Sequence, residues 1–324
     1  MAELPTGAVV AMLSEVLPPP VTVVELRPLT GGASAQTWSI DVTDGTGAAH
    51  GLILRRGAGR SGIGFGLDPA VEPLVQRAAH ESGVPVAAVL TTFADDSIGT
   101  GYVMRRLSGE TIPRRLLRDE AYAAARARLV PDCAAALAAV HAVPLDRLPA
   151  LPRLPAPEAV TFLESVRRSV GAPVPTFEFG FRWLREHLPR PGRLTLVHGD
   201  FRLGNLLLDE GGLVAVLDWE LTHLGDPMED LAWLCSRAWR FGGPGEVGGF
   251  GARTDLDACY ERASGRAVDP SRVLFWEVFA ALRWGVICQL QAHAHLHGEH
   301  RSVERAAIGR RVTEAELDLL LLIG

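Results

Sequence analysis

The chain has 324 residues, 48% of them hydrophobic and only 6% aromatic, so it can bury a sizeable aliphatic core and divide into two lobes. A formal charge of −6 and the lack of a long basic run argue against a nucleic-acid partner. No uninterrupted apolar run reaches the roughly 18 residues of a membrane span, and Met1–Val16 lacks the pattern of a secretion signal, so we expect a cytoplasmic protein without a membrane partner.

Lysine is absent from the chain, since all 32 basic residues are arginine. Any phosphate-binding role that other proteins give to lysine must therefore fall to arginine, which is always charged and can contact phosphate oxygens with two N–H groups. The four cysteines are far apart and include no CxxC pair, so we predict neither a disulfide framework nor a zinc site.

The first part of the chain is predicted to be a lead-in helix followed by strands. An amphipathic stretch, Ala8–Leu17, ends at three prolines, and Val21–Leu26 then begins a strand. Gly31, Gly32 and Ser34 form a turn that leads into alternating residues, which predicts a hairpin over a ligand. Small residues there let backbone N–H groups approach phosphate oxygens, although a tight hairpin turn explains the glycine pair equally well.

A third strand, Gly51–Arg56, ends on two arginines. Arg55 falls where the V-A-I-K strand of a protein kinase carries its phosphate-binding lysine. We therefore predict that Arg55, rather than Arg56, points inward and contacts phosphate. The alternative is that both arginines form a solvated strand end.

The elements that follow complete a small sheet and then change character. Residues 69–82 predict a helix with Glu72 in its first turn, and Val89–Phe93 and Gly101–Met104 are predicted strands. The composition then turns to Ala, Leu and Arg at helical spacing, with prolines such as Pro131 breaking the helices. We predict an α+β chain with an N-terminal lobe over residues 1–104, a hinge over 105–110 and a helical C-terminal lobe over 111–324.

The segment Leu194–Glu220 looks like an active site. Two short apolar runs in it stop at His198 and Asp218, polar residues that an ordinary buried strand would not tolerate. Asp200 and Asn205 lie between them, before a turn that closes a predicted hairpin. Each of these residues alone is an ordinary loop former, but the combination indicates a functional cluster.

This set of side chains suits phosphoryl transfer, in which the protein positions groups and neutralises charge together with Mg²⁺. Asp200 is assigned to the acceptor hydroxyl and its proton, and Asn205 and Asp218 to the magnesium ion on the nucleotide phosphates. The spacing of Asp200 and Asn205 matches the kinase loop H-R-D-x-x-x-x-N, and Asp218 begins a tripeptide that stands where a kinase has Asp-Phe-Gly. Glu220 is a weak third metal ligand, with a strand-exit acid as the alternative.

Two neighbours of Asp200 are also included in the site. His198 is predicted to brace the loop rather than to exchange protons. Arg202 either balances the charge of the carboxylates or approaches phosphate, and a simple salt bridge is the alternative.

The strings HGDFRLGN, VLDWE and HLGDPMEDLAW together resemble the aminoglycoside phosphotransferase family, small-molecule kinases with a protein-kinase-like two-lobed fold. This resemblance implies ATP and Mg²⁺ as cofactors, bound between the lobes. GGASAQTW, LILRR and VLDWELTHLGDP are most similar to the branch of the family found near, or fused to, acyl-CoA dehydrogenases.

The resemblance also implies roles outside the central segment. The Gly31–Ser34 loop would cover the nucleotide phosphates, Glu72 would pair with the basic residue of the third strand, and Asp230 would hold the catalytic loop by hydrogen bonds. Three hinge residues would border the adenine pocket: Met104, Arg105 and Leu107. The residues themselves leave plainer interpretations open, with Met104 in the core and the two acids as first-turn residues.

The predicted function is transfer of the γ-phosphoryl group of Mg·ATP to a hydroxyl of a small molecule, either aminoglycoside-like or a hydroxyacyl compound. Antibiotic kinases bind polycations with clustered acids, whereas the acids that follow the central segment are scattered: Glu246, Asp255, Asp257 and Glu261. The alternative is a nucleotide-binding regulatory protein with little transferase activity. The missing lysine favours that alternative, and the complete set of two carboxylates and a carboxamide argues against it.

Overall fold

The computed structural model describes residues 4–29, 35–57, 66–170, 173–298 and 301–324. A short helix, α1 (Thr6–Leu13), precedes a five-stranded sheet. The strands are β1 (Thr22–Leu29), β2 (Ala35–Thr43), β3 (Ala49–Gly57), β4 (Val89–Asp95) and β5 (Gly99–Arg105). Every neighbouring pair is antiparallel, in the spatial order β1-β2-β3-β5-β4, which confirms the predicted small antiparallel sheet.

The alternation of side chains along β3 determines which arginine faces the rest of the molecule. Leu52 and Leu54 are fully buried in the apolar core that the sheet shares with α1. Successive side chains of a strand point to opposite faces, so Arg55 points away from this core. Arg56 lies on the same face as the two leucines, with its guanidinium carbon 4.9 Å from the centre of the Trp38 ring.

The remainder of the chain is mainly helical, as predicted. Its helices are α2 (Glu72–Glu81), α3 (Pro113–Arg118), α4 (Ala123–Ala142), α5 (Ala156–Val170), α6 (Pro175–Glu186), α7 (Met228–Cys235), α8 (Arg253–Ser264), α9 (Pro270–His297), α10 (Val303–Gly309) and α11 (Val312–Ile323). Two small antiparallel pairs lie among them: β6 (Thr195–Val197) with β9 (His223–Gly225), and β7 (Leu206–Asp209) with β8 (Gly212–Val216).

Helix α9 is the central helix of this part. Its start is fixed by Asp269, whose carboxylate accepts the N–H of Ser271 at 2.9 Å, and by a proline at its first position. By length and mean hydropathy, 1.5 over its most apolar stretch, α9 could cross a membrane, although we expected no such segment in the chain. That stretch is 72% buried among the surrounding elements, which is the environment of a core helix.

Two predicted helix boundaries were wrong. Helix α4 runs through Pro131, which we predicted to break it. The helix packs against α8 and β8, and this burial offsets the roughly 3 kcal/mol that an interior proline costs. The sequence Gly225-Asp226-Pro227 predicts the start of a helix that continues to Trp239, whereas helix α7 ends at Cys235, where the chain turns into a separate short 3₁₀ segment, Arg237–Trp239.

Helix α2 contacts both the sheet and the helical part. Its polar side chains face the sheet, where the Tyr102 hydroxyl donates to Glu72 at 3.1 Å and to Gln76 at 3.3 Å. Its buried side chains Val75, Ala78 and Ala79 belong to the large hydrophobic core that contains α4 and α9. Backbone hydrogen bonds add to this attachment on both sides of α2, from the N–H of Leu67 to the Glu220 oxygen at 2.7 Å and from the N–H of Val216 to the Pro85 oxygen at 2.8 Å.

Candidate active site

The catalytic loop, residues 198–205, connects β6 to β7 and is fixed by α7. Asp230 accepts the backbone N–H of His198 at 2.8 Å and that of Gly199 at 2.9 Å. Gly199 has a φ of +80°, and a Cβ there would lie 2.4 Å from the backbone oxygen of Leu221. Only glycine fits this conformation and close approach, which explains the residue between His198 and Asp200. Asp230 thus makes the contact that the sequence resemblance implied.

His198 is fully buried and holds the loop from inside. Its Nδ1 accepts the N–H of Asp200 at 3.2 Å, and its Nε2 lies 3.1 Å from the Leu217 oxygen, to which it can donate. This pair of contacts suits the neutral imidazole. Burial outweighs the nearby carboxylates and lowers the pKa of His198. The side chain therefore braces the loop, as predicted.

Asp230 is itself held by a buried chain of side chains. His141 Nε2 lies 3.2 Å from the Asp230 carboxylate, and His141 Nδ1 lies 2.8 Å from the hydroxyl of Tyr260. Burial alone would raise the pKa of Asp230, but the hydrogen bond from His141 and the adjacent N–H groups lower it. The position of His141 at the end of an Ala-rich segment predicts a packing or capping role, and the structure places it in this network instead.

The carboxylate of Asp200 receives hydrogen bonds from three side chains. Asn205 Nδ2 donates to Oδ2 at 2.6 Å, Trp233 Nε1 donates to Oδ1 at 2.8 Å, and Arg202 Nε lies 3.1 Å from both oxygens. The Arg202 guanidinium also lies over Trp239, 4.6 Å from the ring centre. The salt bridge considered for Arg202 is therefore present, and it is made to Asp200.

Asp218 follows β8 in a backbone conformation that is unusual for a residue with a side chain. Its φ is +65°, in the left-handed region that Asp tolerates better than most residues. The next residue, Trp219, is buried and donates its indole N–H to the Val216 oxygen at 3.1 Å. The buried tryptophan and the left-handed turn together aim the Asp218 side chain into the space between the sheet and the helices.

Arg55 reaches across that space and contacts three carboxylates, one on α2 and two in the connection between β8 and β9. Its Nη2 lies 2.7 Å from Asp218 and 3.1 Å from Glu220, and its Nε lies 3.3 Å from Glu72. Burial lowers the pKa of Arg55, but these carboxylates outweigh it and hold the pKa above its usual value. Glu72 is buried, which raises its pKa, and it also accepts the hydroxyl of Tyr102 at 3.1 Å. The inward orientation predicted for Arg55 and its pairing with Glu72 are both present.

A cavity of about 350 Å³ lies beside Arg55, between the sheet and the helical part. Met104, Arg105 and Leu107 line it, as do Asn205 and Asp218. The N–H groups of Arg105 and Arg106 are bonded to backbone oxygens of neighbouring segments, whereas that of Leu107 has no backbone acceptor among the described residues. A planar base at this edge would find a free backbone donor, as the resemblance implied for adenine. The predicted phosphate loop, Gly31, Gly32 and Ser34, lies outside the described residues.

The donor atoms at one end of the cavity suit a magnesium ion. They are the carboxamide of Asn205 and the carboxylates of Asp218 and Glu220, all hard oxygen ligands. Asn205 directs its Nδ2 to Asp200, and no donor among the described residues reaches its Oδ1. The Arg55 guanidinium lies between Asp218 and Glu220 and neutralises part of their charge. In the described ranges no cluster of three or more His, Cys, Asp and Glu side chains forms a metal centre.

Comparison with known proteins places the chain among phosphotransferases. The model of the phosphotransferase enzyme family matches residues 25–267. Acyl-CoA dehydrogenase family member 10 of Mus musculus is 33% identical over 177 residues, which are 50% of this chain and 16% of that protein. The chain therefore spans only a small part of that curated relative.

Two solved structures share the fold over nearly the whole chain. A candidate aminoglycoside phosphotransferase from Ralstonia eutropha has a TM-score of 0.75 at 22% identity, covering 99% of this chain and 98% of that one. A thermostable mutant of APH(4)-Ia, solved with AMP-PNP and hygromycin B, has a TM-score of 0.64 at 17% identity, covering 93% of each chain. Both the predicted fold class and the family resemblance are confirmed.

Proposed function

The chain belongs to the phosphotransferase enzyme family, and on that premise we propose that it transfers the γ-phosphoryl group of Mg·ATP to a hydroxyl group of a small molecule. The observation that carries the proposal is a linked set of residues at one cavity: Asn205, Asp218 and Arg55 line it, and Asn205 donates to the Asp200 carboxylate at 2.6 Å. A binding module would not need a carboxylate for the acceptor together with a metal-binding pair. The AMP-PNP bound in the structural neighbour supports ATP as the donor.

In the proposed reaction each residue acts through a contact already described. Asp200 orients the acceptor hydroxyl and receives its proton, Arg55 steadies the phosphates, and His198 and Asp230 keep the loop in place. Asn205, Asp218 and, more weakly, Glu220 would hold the Mg²⁺. When bound, that ion would neutralise the charge that develops on the phosphate oxygens. Because the reaction consumes ATP, a cytoplasmic location is part of the proposal.

The acids near the acceptor side argue against a polycationic acceptor. Glu246 accepts the backbone N–H of Arg253 at 3.1 Å, Asp257 pairs with the side chain of Arg253 at 2.7 Å, and Glu261 accepts the N–H of Val268 at 2.8 Å. These three carboxylates are engaged within the protein, and Asp255 alone of the four is exposed without such a contact among the described residues. An aminoglycoside requires several available carboxylates, so this arrangement supports an acceptor with few positive charges, such as a hydroxyacyl compound.

The test follows ATP consumption with Mg²⁺ over a panel of aminoglycosides, other hydroxylated antibiotics, hydroxyacyl-CoAs and choline-like alcohols, with the Asp200→Asn variant in parallel. We expect one class to support turnover and Asp200→Asn to reduce kcat by at least about 100-fold. ATP binding without turnover on any acceptor would favour a regulatory nucleotide-binding protein. Turnover that survives Asp200→Asn unchanged would contradict the role given to that carboxylate.

A further inference from the structure

Trp233 is a buried residue of α7 whose indole N–H is bonded to Asp200. The donor–acceptor distance is 2.8 Å, and the side chain is only 2% exposed. Trp233 lies three residues after Asp230, so both side chains leave the same face of the helix. Helix α7 therefore holds the catalytic loop at two points, the backbone through Asp230 and the carboxylate through Trp233.

The orientation of the Trp233 ring is fixed independently of Asp200. The guanidinium carbon of Arg283, on α9, lies 4.4 Å from the centre of the ring. Other buried tryptophans of the described chain show that an indole N–H is tolerated here without a partner, since those of Trp239, Trp276 and Trp284 have none. The bond from Trp233 is thus a specific contact that packing alone does not require.

The donors around Asp200 differ in how firmly they are placed. Asn205 and Trp233 are buried, and each donates to a different oxygen of the carboxylate. Arg202 shares one N–H between both oxygens at 3.1 Å, and its side chain is 24% exposed. Arg202 is the most exposed of the three donors and divides one N–H between two oxygens, so its contact is the one that an arriving hydroxyl group can reach and replace while the other two stay.

We propose that Trp233 is a positioning residue, which together with Asn205 fixes the plane of the Asp200 carboxylate while the acceptor hydroxyl displaces Arg202. The inference rests on the proposed function and adds to it a residue outside the catalytic loop. A purely structural Trp233 would affect folding only. A positioning Trp233 acts on kcat, because misorientation of the carboxylate slows the chemical step without weakening nucleotide binding.

Two substitutions separate the N–H from the bulk of the ring. Trp233→Phe keeps a large aromatic ring and loses the donor, whereas Trp233→His loses bulk but places its Nε2 where the indole nitrogen stood. We expect kcat to fall roughly 10- to 100-fold in Trp233→Phe with KM for ATP nearly unchanged. Trp233→His should retain more activity than Trp233→Phe although it is the less stable protein.

The matched control is Trp276→Phe, which removes a buried indole whose N–H has no partner. It should lower thermal stability and leave kcat within about twofold of the wild type. Two results would overturn the inference. One is that the activities of the two Trp233 variants simply follow their melting temperatures, and the other is a wild-type kcat in Trp233→Phe. A wild-type chain that turns over no acceptor would overturn the proposed function, and this role with it.

A second measurement examines the hydrogen bond without turnover. The chain has seven tryptophans, and the indole ¹H–¹⁵N signal of Trp233 can be assigned by its loss in Trp233→Phe. We expect this signal to move more than the other indole signals when Asp200 is replaced by Asn. A Trp233 signal that does not respond to Asp200→Asn contradicts the inference, whatever the activity of the wild type.

Discussion

Arg55 is the residue on which the electrostatics of the site depend most directly. One guanidinium lies within 3.3 Å of Glu72, Asp218 and Glu220, so one positive charge faces three negative ones. The absence of lysine does not leave the strand without its cation, because arginine occupies that position. Under the proposed function, a metal ion bound with the nucleotide phosphates would neutralise the negative charge that Arg55 leaves uncompensated.

The first prediction concerns Arg55→Ala. Removing the guanidinium leaves the carboxylates without a counter-ion, so we expect the free energy of unfolding to fall by roughly 2–4 kcal/mol and KM for ATP to rise at least about tenfold. Adding Mg²⁺ should raise the melting temperature of the variant more than that of the wild type, because the ion supplies the missing charge. Thermal unfolding and steady-state kinetics measure both effects.

Arg56→Ala is the matched control, since Arg56 contacts Gln36 and Trp38 on the other face of β3. It should change KM for ATP by less than about threefold. Equal effects of the two substitutions, or no extra response of Arg55→Ala to Mg²⁺, would contradict the role given to Arg55.

The second prediction concerns Asp230→Asn. Only one oxygen of an asparagine accepts hydrogen bonds, so the N–H groups of His198 and Gly199 cannot both keep their partner. We expect the free energy of unfolding of the variant to be about 2–3 kcal/mol lower than that of the wild type, and most of kcat to be lost. Since the pKa of Asp230 is lowered in the folded protein, its stabilising effect is present above the unfolded pKa of about 4 and is lost as pH falls below it.

Unfolding free energies of wild type and Asp230→Asn, measured between pH 7 and pH 3, check this prediction. The difference between the two proteins should shrink as the pH falls through the acidic range. A difference that stays constant would mean that the ionised carboxylate is not what stabilises the loop.

At the scale of the elements, three buried ionisable side chains, one each from β9, α7 and α9, connect these elements through ion pairs. His223 lies 3.1 Å from Glu229, and Arg283 lies 3.4 Å from the other oxygen of the same carboxylate. The second ring nitrogen of His223 lies 2.9 Å from the Leu221 oxygen, so both nitrogens face acceptors. Burial lowers the pKa of His223, but Glu229 outweighs it and raises the pKa above the usual value.

The third prediction follows from the charge of His223. A histidine with a raised folded pKa adds stability that is complete below the unfolded pKa of about 6.5 and is lost as pH rises through the folded pKa. We expect the melting temperature of the wild type to decline above neutral pH and His223→Gln to lose part of that decline. His297→Gln, at the exposed end of α9, is the control and should retain it. The same decline in all three proteins would show that His223 does not cause it.

Much of the site was predictable because its chemistry lies in one continuous segment. Asp200, Asn205 and Asp218 were predicted from their residue types, their positions at strand ends and their spacing, and Arg55 was predicted from its match to the kinase strand. Trp233, His141 and Tyr260 could not be identified in this way. They reach the catalytic loop from separate helices, and residue spacing does not say which face of a helix packs on which partner.

At the scale of the whole molecule, two hydrophobic cores divide the chain. One belongs to the sheet and α1, and the other contains α2 and the buried faces of the helices that follow. The boundary between the lobes at residue 104, which remains a prediction, divides the chain by sequence position. The hydrophobic cores divide it differently, because α2 precedes residue 104 but its side chains Val75 and Ala79 lie in the core of the helical part.

The fourth prediction concerns the stability of α2. Because its apolar face is buried in the larger core, we expect its amides to exchange with solvent as slowly as those of α4 and more slowly than those of β2 and β3. Hydrogen exchange measured by mass spectrometry checks this order. Exchange of α2 at the rate of the sheet would show that the helix opens with the strands and would contradict the division described here.

The attachment of α2 bears on how such an enzyme can be controlled. In protein kinases the helix that carries the glutamate is the movable part, and activation brings the glutamate to the basic residue of the strand. Here Glu72 is carried by a helix that is packed on the helical core, so withdrawing it would require breaking that core. Moving this helix away from Arg55 would therefore cost apolar burial as well as the ion pair with Glu72. If the proposed function holds, control by displacement of this helix would be more costly here than in a protein kinase, and activity would depend mainly on the concentrations of nucleotide and acceptor.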